Sequence, residues 1–94
     1  MNAEQPVGEV RPRLQPGFRL QFEPAQNGHV LLFPEGMVKL NGSASEILKR
    51  CTGEATVAQI TAELERVFQQ PDLSREVASF INHAVERKWL TLTP

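Results

Sequence analysis

Cysteine, tyrosine and histidine are nearly or wholly missing from this 94-residue chain, which has one Cys, no Tyr and two His. The lone thiol, Cys51, can close no intramolecular disulfide and build no thiolate metal cluster, so a reducing, cytoplasmic setting fits best. His29 and His83 share no helical face with further ligands at metal spacing, so no metal site is expected. Catalysis would need a nucleophile beside a base, paired carboxylates in a pocket or metal ligands, and none stands at convincing spacing. No catalytic residue and no cofactor is therefore expected. Gly36, Gly42 and Gly53 do not form a phosphate loop, because clustered glycines ending in Lys-Ser or Lys-Thr are missing.

An excess of either charge is also missing. Ten Lys+Arg stand against eleven Asp+Glu, for a formal net charge of -1. No global field would draw the chain onto nucleic acid or an anionic membrane. No apolar run approaches the length of a membrane span. Glu4, Gln5 and Glu9 occupy the place where a signal peptide would need its apolar stretch.

Residues 1–17 carry Pro6, Pro12 and Pro16 with Gly8 and Gly17 and almost no periodic apolar pattern, which reads as an extended N-terminal arm. Such an arm is either a solvated tail or docks on a partner or a second copy through Val10 and Leu14. Residues 18–94 read as one small domain with little room for a deep active site.

From Phe18 the chain alternates: Phe18, Leu20 and Phe22 share one strand face, and Arg19, Gln21 and Glu23 the other. Pro24 to Gly28 forms a loop in which Asn27-Gly28 tolerates positive φ. His29 to Phe33 is a second strand, whose continuous apolar run suggests cover on both faces. Phe33-Pro34-Glu35-Gly36 suits a type I turn closed by a bulge, and Met37 to Leu40 is the third strand.

Three helices follow. Ser43 with Glu46 reads as a capping box for the first, whose apolar face holds Ala44, Ile47, Leu48 and Cys51, with Gly53 as its stop. Cys51 reads as a small buried hydrophobe, although the neighbouring Arg50 could lower its pKa. Thr56 with Gln59 caps the second, striped by Val57, Ile60, Leu64, Val67 and Phe68, and Gln69 to Asp72 breaks it. The third runs from Asp72 or Ser74 to about Lys88; Val77, Phe80, Ile81 and Ala84, widened by Ala78 and Val85, make an apolar stripe of about 160°. Trp89, Leu90 and Leu92 close the chain as an apolar tail.

Three antiparallel strands followed by three helices make an α+β, winged-helix-like domain. A DNA-reading winged helix would carry Arg, Lys, Asn and Gln on its recognition helix. Here Arg75, Arg87 and Lys88 are balanced by Glu76 and Glu86, so a nucleic-acid-binding regulator is the second reading. The first is a peptide-binding domain. An exposed third strand offers unpaired N–H and C=O groups to an incoming extended peptide, and apolar side chains of that peptide can drop between sheet and helix. Met37, Val38, Lys39 and Leu40 on one wall, with Phe80, Ile81, Ala84 and Arg87 on the other, are the expected peptide-binding residues. Lys39 and Arg87 stand there by position. A free edge can equally pair or exchange strands with a second copy, giving a homodimer that would occupy the same site.

The blocks Arg11-Pro12-Arg13-Leu14, Pro16-Gly17-Phe18-Arg19-Leu20, Pro34-Glu35-Gly36-Met37-Val38-Lys39-Leu40-Asn41, Glu46-Ile47-Leu48 and Gly53 with Thr56-Val57 resemble the PqqD family. The resemblance implies a chaperone in pyrroloquinoline quinone biosynthesis that binds the ribosomal precursor peptide PqqA. It further implies presentation of that peptide to the radical S-adenosylmethionine enzyme PqqE, with the peptide added to the third strand against the third helix.

Overall fold

The computed structural model describes residues 7–94, and the part of the arm before Val7 lies outside them. After a short 3-10 turn at Val7–Glu9 come β1 (Arg11–Leu14), β2 (Arg19–Glu23), β3 (Gly28–Phe33), β4 (Gly36–Lys39), α1 (Gly42–Lys49), α2 (Val57–Phe68), α3 (Ser74–Glu86) and β5 (Leu90–Thr93). The strands form two sheets, an antiparallel β2-β3-β4 meander and an antiparallel β1-β5 pair.

The meander follows from its turns. Pro24 opens a 3-10 turn that ends on Asn27 in the left-handed region, at φ 52°, and returns the chain into β3. Register is regular throughout, with Leu20 opposite Leu31, Leu31 opposite Val38 and Phe33 opposite Gly36. The second turn is therefore Pro34-Glu35 alone, without the expected bulge. Gly36 sits inside the closing pair at φ +155°, a conformation L side chains rarely adopt, and takes up the adjustment an inserted residue would have made. By alternation Leu20, Leu31, Val38 and Leu40 share the face on which Leu20 and Leu40 meet the helical core, and Phe18 stacks on Phe33 with centroids 5.2 Å apart. Val30, on the opposite face, is as fully buried as Leu31, so β3 is covered on both sides.

The cap of α1 differs from expectation. Asn41, not Ser43, is the N-cap: its Oδ1 accepts the Ala44 N–H at 2.8 Å, which places Ser43 already inside the helix. Glu46 is thereby released from any capping role and binds Lys49 Nζ and Arg50 Nη1, both at 2.9 Å. The capping box of α2 is as expected, with Gln59 N–H on Thr56 Oγ1 at 3.1 Å and Thr56 N–H on Gln59 Oε1 at 2.8 Å. Gln69 ends α2 in the left-handed conformation at φ 52°. The start of α3 borrows a partner from α2: Leu73 N–H donates to Glu65 Oε2 at 3.0 Å.

The core joins Ile47, Leu48, Cys51, Val57, Ile60, Leu64, Leu73, Val77, Ile81, Ala84 and Leu90 from all three helices and β5. Cys51 is buried there, its thiol donating to the Ile47 carbonyl at 3.3 Å. Burial pushes its pKa up to about 12, so Arg50 does not activate it.

The described part of the N-terminal segment is a correction to the arm reading. Residues 11–14 pair with 90–93, Pro12 is among the most deeply buried side chains, and Val10 and Leu14 pack on this chain's own core rather than on a partner. Backbone bonds stitch the segment to the connection between α1 and α2: Gly53 N–H to Pro12 C=O and Val57 N–H to Val10 C=O, both at 2.9 Å. Proline is tolerated because its carbonyl still accepts and no donor is needed at that position.

Candidate peptide-binding site

One hydrogen bond settles how β4 presents itself. Leu40 N–H donates to the His29 carbonyl at 3.1 Å, so this pair is a hydrogen-bonded one in the register that sets Leu31 opposite Val38. Bonded and non-bonded pairs alternate along an antiparallel ladder. Val38 and Leu40 therefore turn their N–H and C=O groups to β3, while Met37 and Lys39 turn theirs to the open edge. Side chains alternate the other way. Val38 and Leu40 point to the core face, Val38 half-buried and Leu40 packed against the core, and Met37, 50% exposed, shares the outer face with Lys39.

The residues expected on α3 separate into two kinds. Ile81 and Ala84 have no exposed surface and are core, so they cannot line a groove. Phe80 is half-buried at the flank of the helix, its ring 6.5 Å from that of Trp89, and Arg87 is exposed at the helix C-cap. The physical reason is that only one flank of a stripe this wide can face away from the core once α2 and β5 are packed on it.

A cleft of about 200 Å³ opens among the three helices, with Ser43 in the first turn of α1 on its rim. Ser43 and Ile47 of α1, Leu64 and Phe68 of α2, Gln70 of the connection, and Leu73, Glu76 and Val77 at the start of α3 line it. Glu76 also borders a more open depression along α3 with Arg75, Ser79, Phe80 and His83. Phe68 is 42% exposed and the adjoining Val67 52%. Phe68, Leu73 and Glu76 were not among the expected site residues. The available signal was the position of Val67-Phe68 in the last turn of α2, against the helix break, where a stripe runs past the core that would cover it.

The cleft mixes apolar walls with the Glu76 carboxylate and the Ser43 hydroxyl, which suits an apolar side chain carried on an extended backbone. Among the described residues no group of three His, Cys, Asp or Glu could hold a metal ion, and no helix is long and apolar enough to cross a membrane.

Residues 28–90, which span β3 to the start of β5, match the family model of coenzyme PQQ synthesis protein D. The chain belongs to the PqqD family. It is 50% identical over 82 residues to the PqqA binding protein of Azotobacter vinelandii, covering 86% of this chain and 89% of that one. With the PqqA binding protein of Pseudomonas aeruginosa it shares 51% over 82 residues, with the same two coverages. Among solved structures it is similar to the PqqD truncation of Methylobacterium extorquens PqqCD, described as a functional, stand-alone recognition element for ribosomally synthesised and post-translationally modified peptides. That match has a TM-score of 0.72 at 31% identity and covers 85% of this chain and 87% of the other. PqqD proteins are thus described as binding proteins and recognition elements rather than catalysts. The three-stranded antiparallel sheet followed by three helices is the expected α+β arrangement, with the β1-β5 pair as an addition.

Proposed function

We propose that this PqqD-family protein is a peptide-binding adaptor that takes the precursor peptide PqqA as an added strand on β4 and presents it to the radical S-adenosylmethionine enzyme PqqE in the cytoplasm. The observation that carries the reading is the open edge at Met37 and Lys39, in a chain that also holds a partly apolar cleft walled by Ile47, Phe68, Leu73 and Val77. Backbone groups supply affinity with little sequence demand, and the cleft selects an apolar side chain of the peptide. The reading also assigns Val38, Leu40 and Phe80 to the site, with Lys39 and Arg87 as its candidate cations. A nucleic-acid-binding reading draws no support from α3, whose exposed Arg75 and Arg87 alternate with Glu76 and Glu86.

Titration of isotope-labelled protein with synthetic PqqA tests the site. Saturable shifts of the Met37 to Leu40 amides and of residues around Phe68, Leu73 and Phe80 are expected. Saturable binding with shifts elsewhere would displace the site, and no binding would remove the function. Presentation is tested separately, by whether PqqE binds the preformed complex more tightly than it binds the peptide alone.

A further inference from the structure

The three-stranded sheet has a second edge. Because Leu31 of β3 bonds to Val38 on β4, Val30 and Leu32 turn the other way and bond to Gln21 and Arg19 on β2. Leu20 and Phe22 then direct their N–H and C=O groups outward. Among the described residues no other backbone group reaches them. Phe22 is 51% exposed and meets His29 edge-on with centroids 5.3 Å apart. Neither a lysine nor a proline interrupts β2, although these are the usual guards of a solvent-facing edge.

The sequence of this strand, Arg19-Leu20-Gln21-Phe22-Glu23, is complementary to itself when reversed. An antiparallel pair of two β2 strands centred on Gln21 sets the outward-facing Leu20 against the second copy's Phe22, and Phe22 against its Leu20, with each pair exchanging both backbone bonds. The same register sets Arg19 opposite the second copy's Glu23, and Glu23 opposite its Arg19. These fall in the non-bonded pairs, where side chains stand closest and opposite charges stabilise. Within one chain Arg19 Nη2 donates to Gln21 Oε1 at 3.2 Å and Gln21 Nε2 to Glu23 Oε2 at 2.6 Å, so the two charges already lie along one face of the strand, joined by the amide. β4 has no such complementarity. Its outward-facing residues would set Lys39 against Met37 or against another Lys39.

We infer that β2 is a self-association edge, through which two copies join their meanders into one six-stranded antiparallel sheet about a twofold axis at Gln21. This differs from pairing through the peptide edge, because both β4 strands remain at the outer ends of the joined sheet. The inference does not depend on the proposed peptide function. Such a contact is short, so association is weak and shows itself at high concentration.

The test is sedimentation of the full chain at concentrations up to about 1 mM, with charge reversals. Arg19→Glu alone and Glu23→Arg alone each place like charges across both halves of the axis, and each should weaken self-association at least about tenfold. Mixing the two variants restores opposite charges at both contacts, so a heterodimer should form where neither variant associates alone, and this also shows that both are folded. The double reversal Arg19→Glu with Glu23→Arg should associate as the unaltered protein does. A chain that is monomeric at every concentration overturns the inference. So does a dimer indifferent to the single reversals, or one dissolved by a peptide bound at β4.

Discussion

Leu40 and His29 share a backbone hydrogen bond of 3.1 Å at the far end of β4 from its turn, and this contact decides the directions of Met37, Val38 and Lys39. Proline substitution along the strand should therefore alternate in effect. Val38→Pro removes a donor to β3 and should destabilise the fold by about 3 kcal/mol, whereas Lys39→Pro removes a donor from the open edge alone. Lys39→Pro is expected to keep most of the thermal stability yet weaken PqqA binding roughly tenfold, about 1.4 kcal/mol. Calorimetric titration beside thermal unfolding of both variants measures the two effects. Equal loss of binding and stability in both would contradict the assignment.

The division of the apolar residues between core and cleft should be equally plain. Ile81→Ala empties a fully buried position and should cost about 2–5 kcal/mol in denaturant unfolding. Phe68→Ala, at a partly exposed cleft wall, should cost about 1 kcal/mol or less while reducing peptide affinity. An unchanged affinity for Phe68→Ala would take the cleft out of the site.

Gly53 holds φ +90° against the side chain of Arg13, where an added Cβ would meet Arg13 Cβ and Cδ at 3.4 Å. Gly53→Ala strains the backbone and crowds the strand that Gly53 N–H fastens through Pro12. A loss of about 1–3 kcal/mol is expected by chemical denaturation.

The Glu46 carboxyl is held below its ordinary 4.5, first by the hydrogen bond from Lys49 and then by that from Arg50. A lowered folded value means that the unfolded chain binds the proton more readily. The associated stability is present above the unfolded value and is lost as pH falls through the folded one. Glu46→Gln should cost about 0.5–1 kcal/mol near neutrality. The difference from the parent should close as pH falls below 4.5. Unfolding curves at several pH values give that difference directly.

The Cys51 thiol, pushed up from 9.0 to about 12 by burial, should resist alkylation in the folded protein at neutral pH and react on unfolding. The sign here is opposite to that of Glu46. Its contribution is complete below 9.0 and declines as pH rises toward 12.

The elements that sequence made legible are those fixed by neighbours. Alternation in β2, the Asn27-Gly28 return and the Thr56–Gln59 box all act over a few residues, and each stands where expected. What escaped notice depended on distant partners. Nothing near Arg11-Pro12-Arg13-Leu14 announces a strand, because its ladder partner is 82 residues away at the other end of the chain. Within α3, periodicity marks a wide stripe but not which flank α2 and β5 cover, so Ile81 and Ala84 could not be told from Phe80. At α1, Asn41 and Ser43 are both good capping residues two positions apart, and the backbone chose the earlier.

The pairing of Arg11 with Thr93 also bears on how the chain is made. During vectorial synthesis β1 leaves the ribosome first among the described strands and waits for β5, which leaves last, before its ladder can close. The meander and the helices, whose contacts are more local, can assemble in the interval, so closure of the β1-β5 pair is expected as a late event in folding.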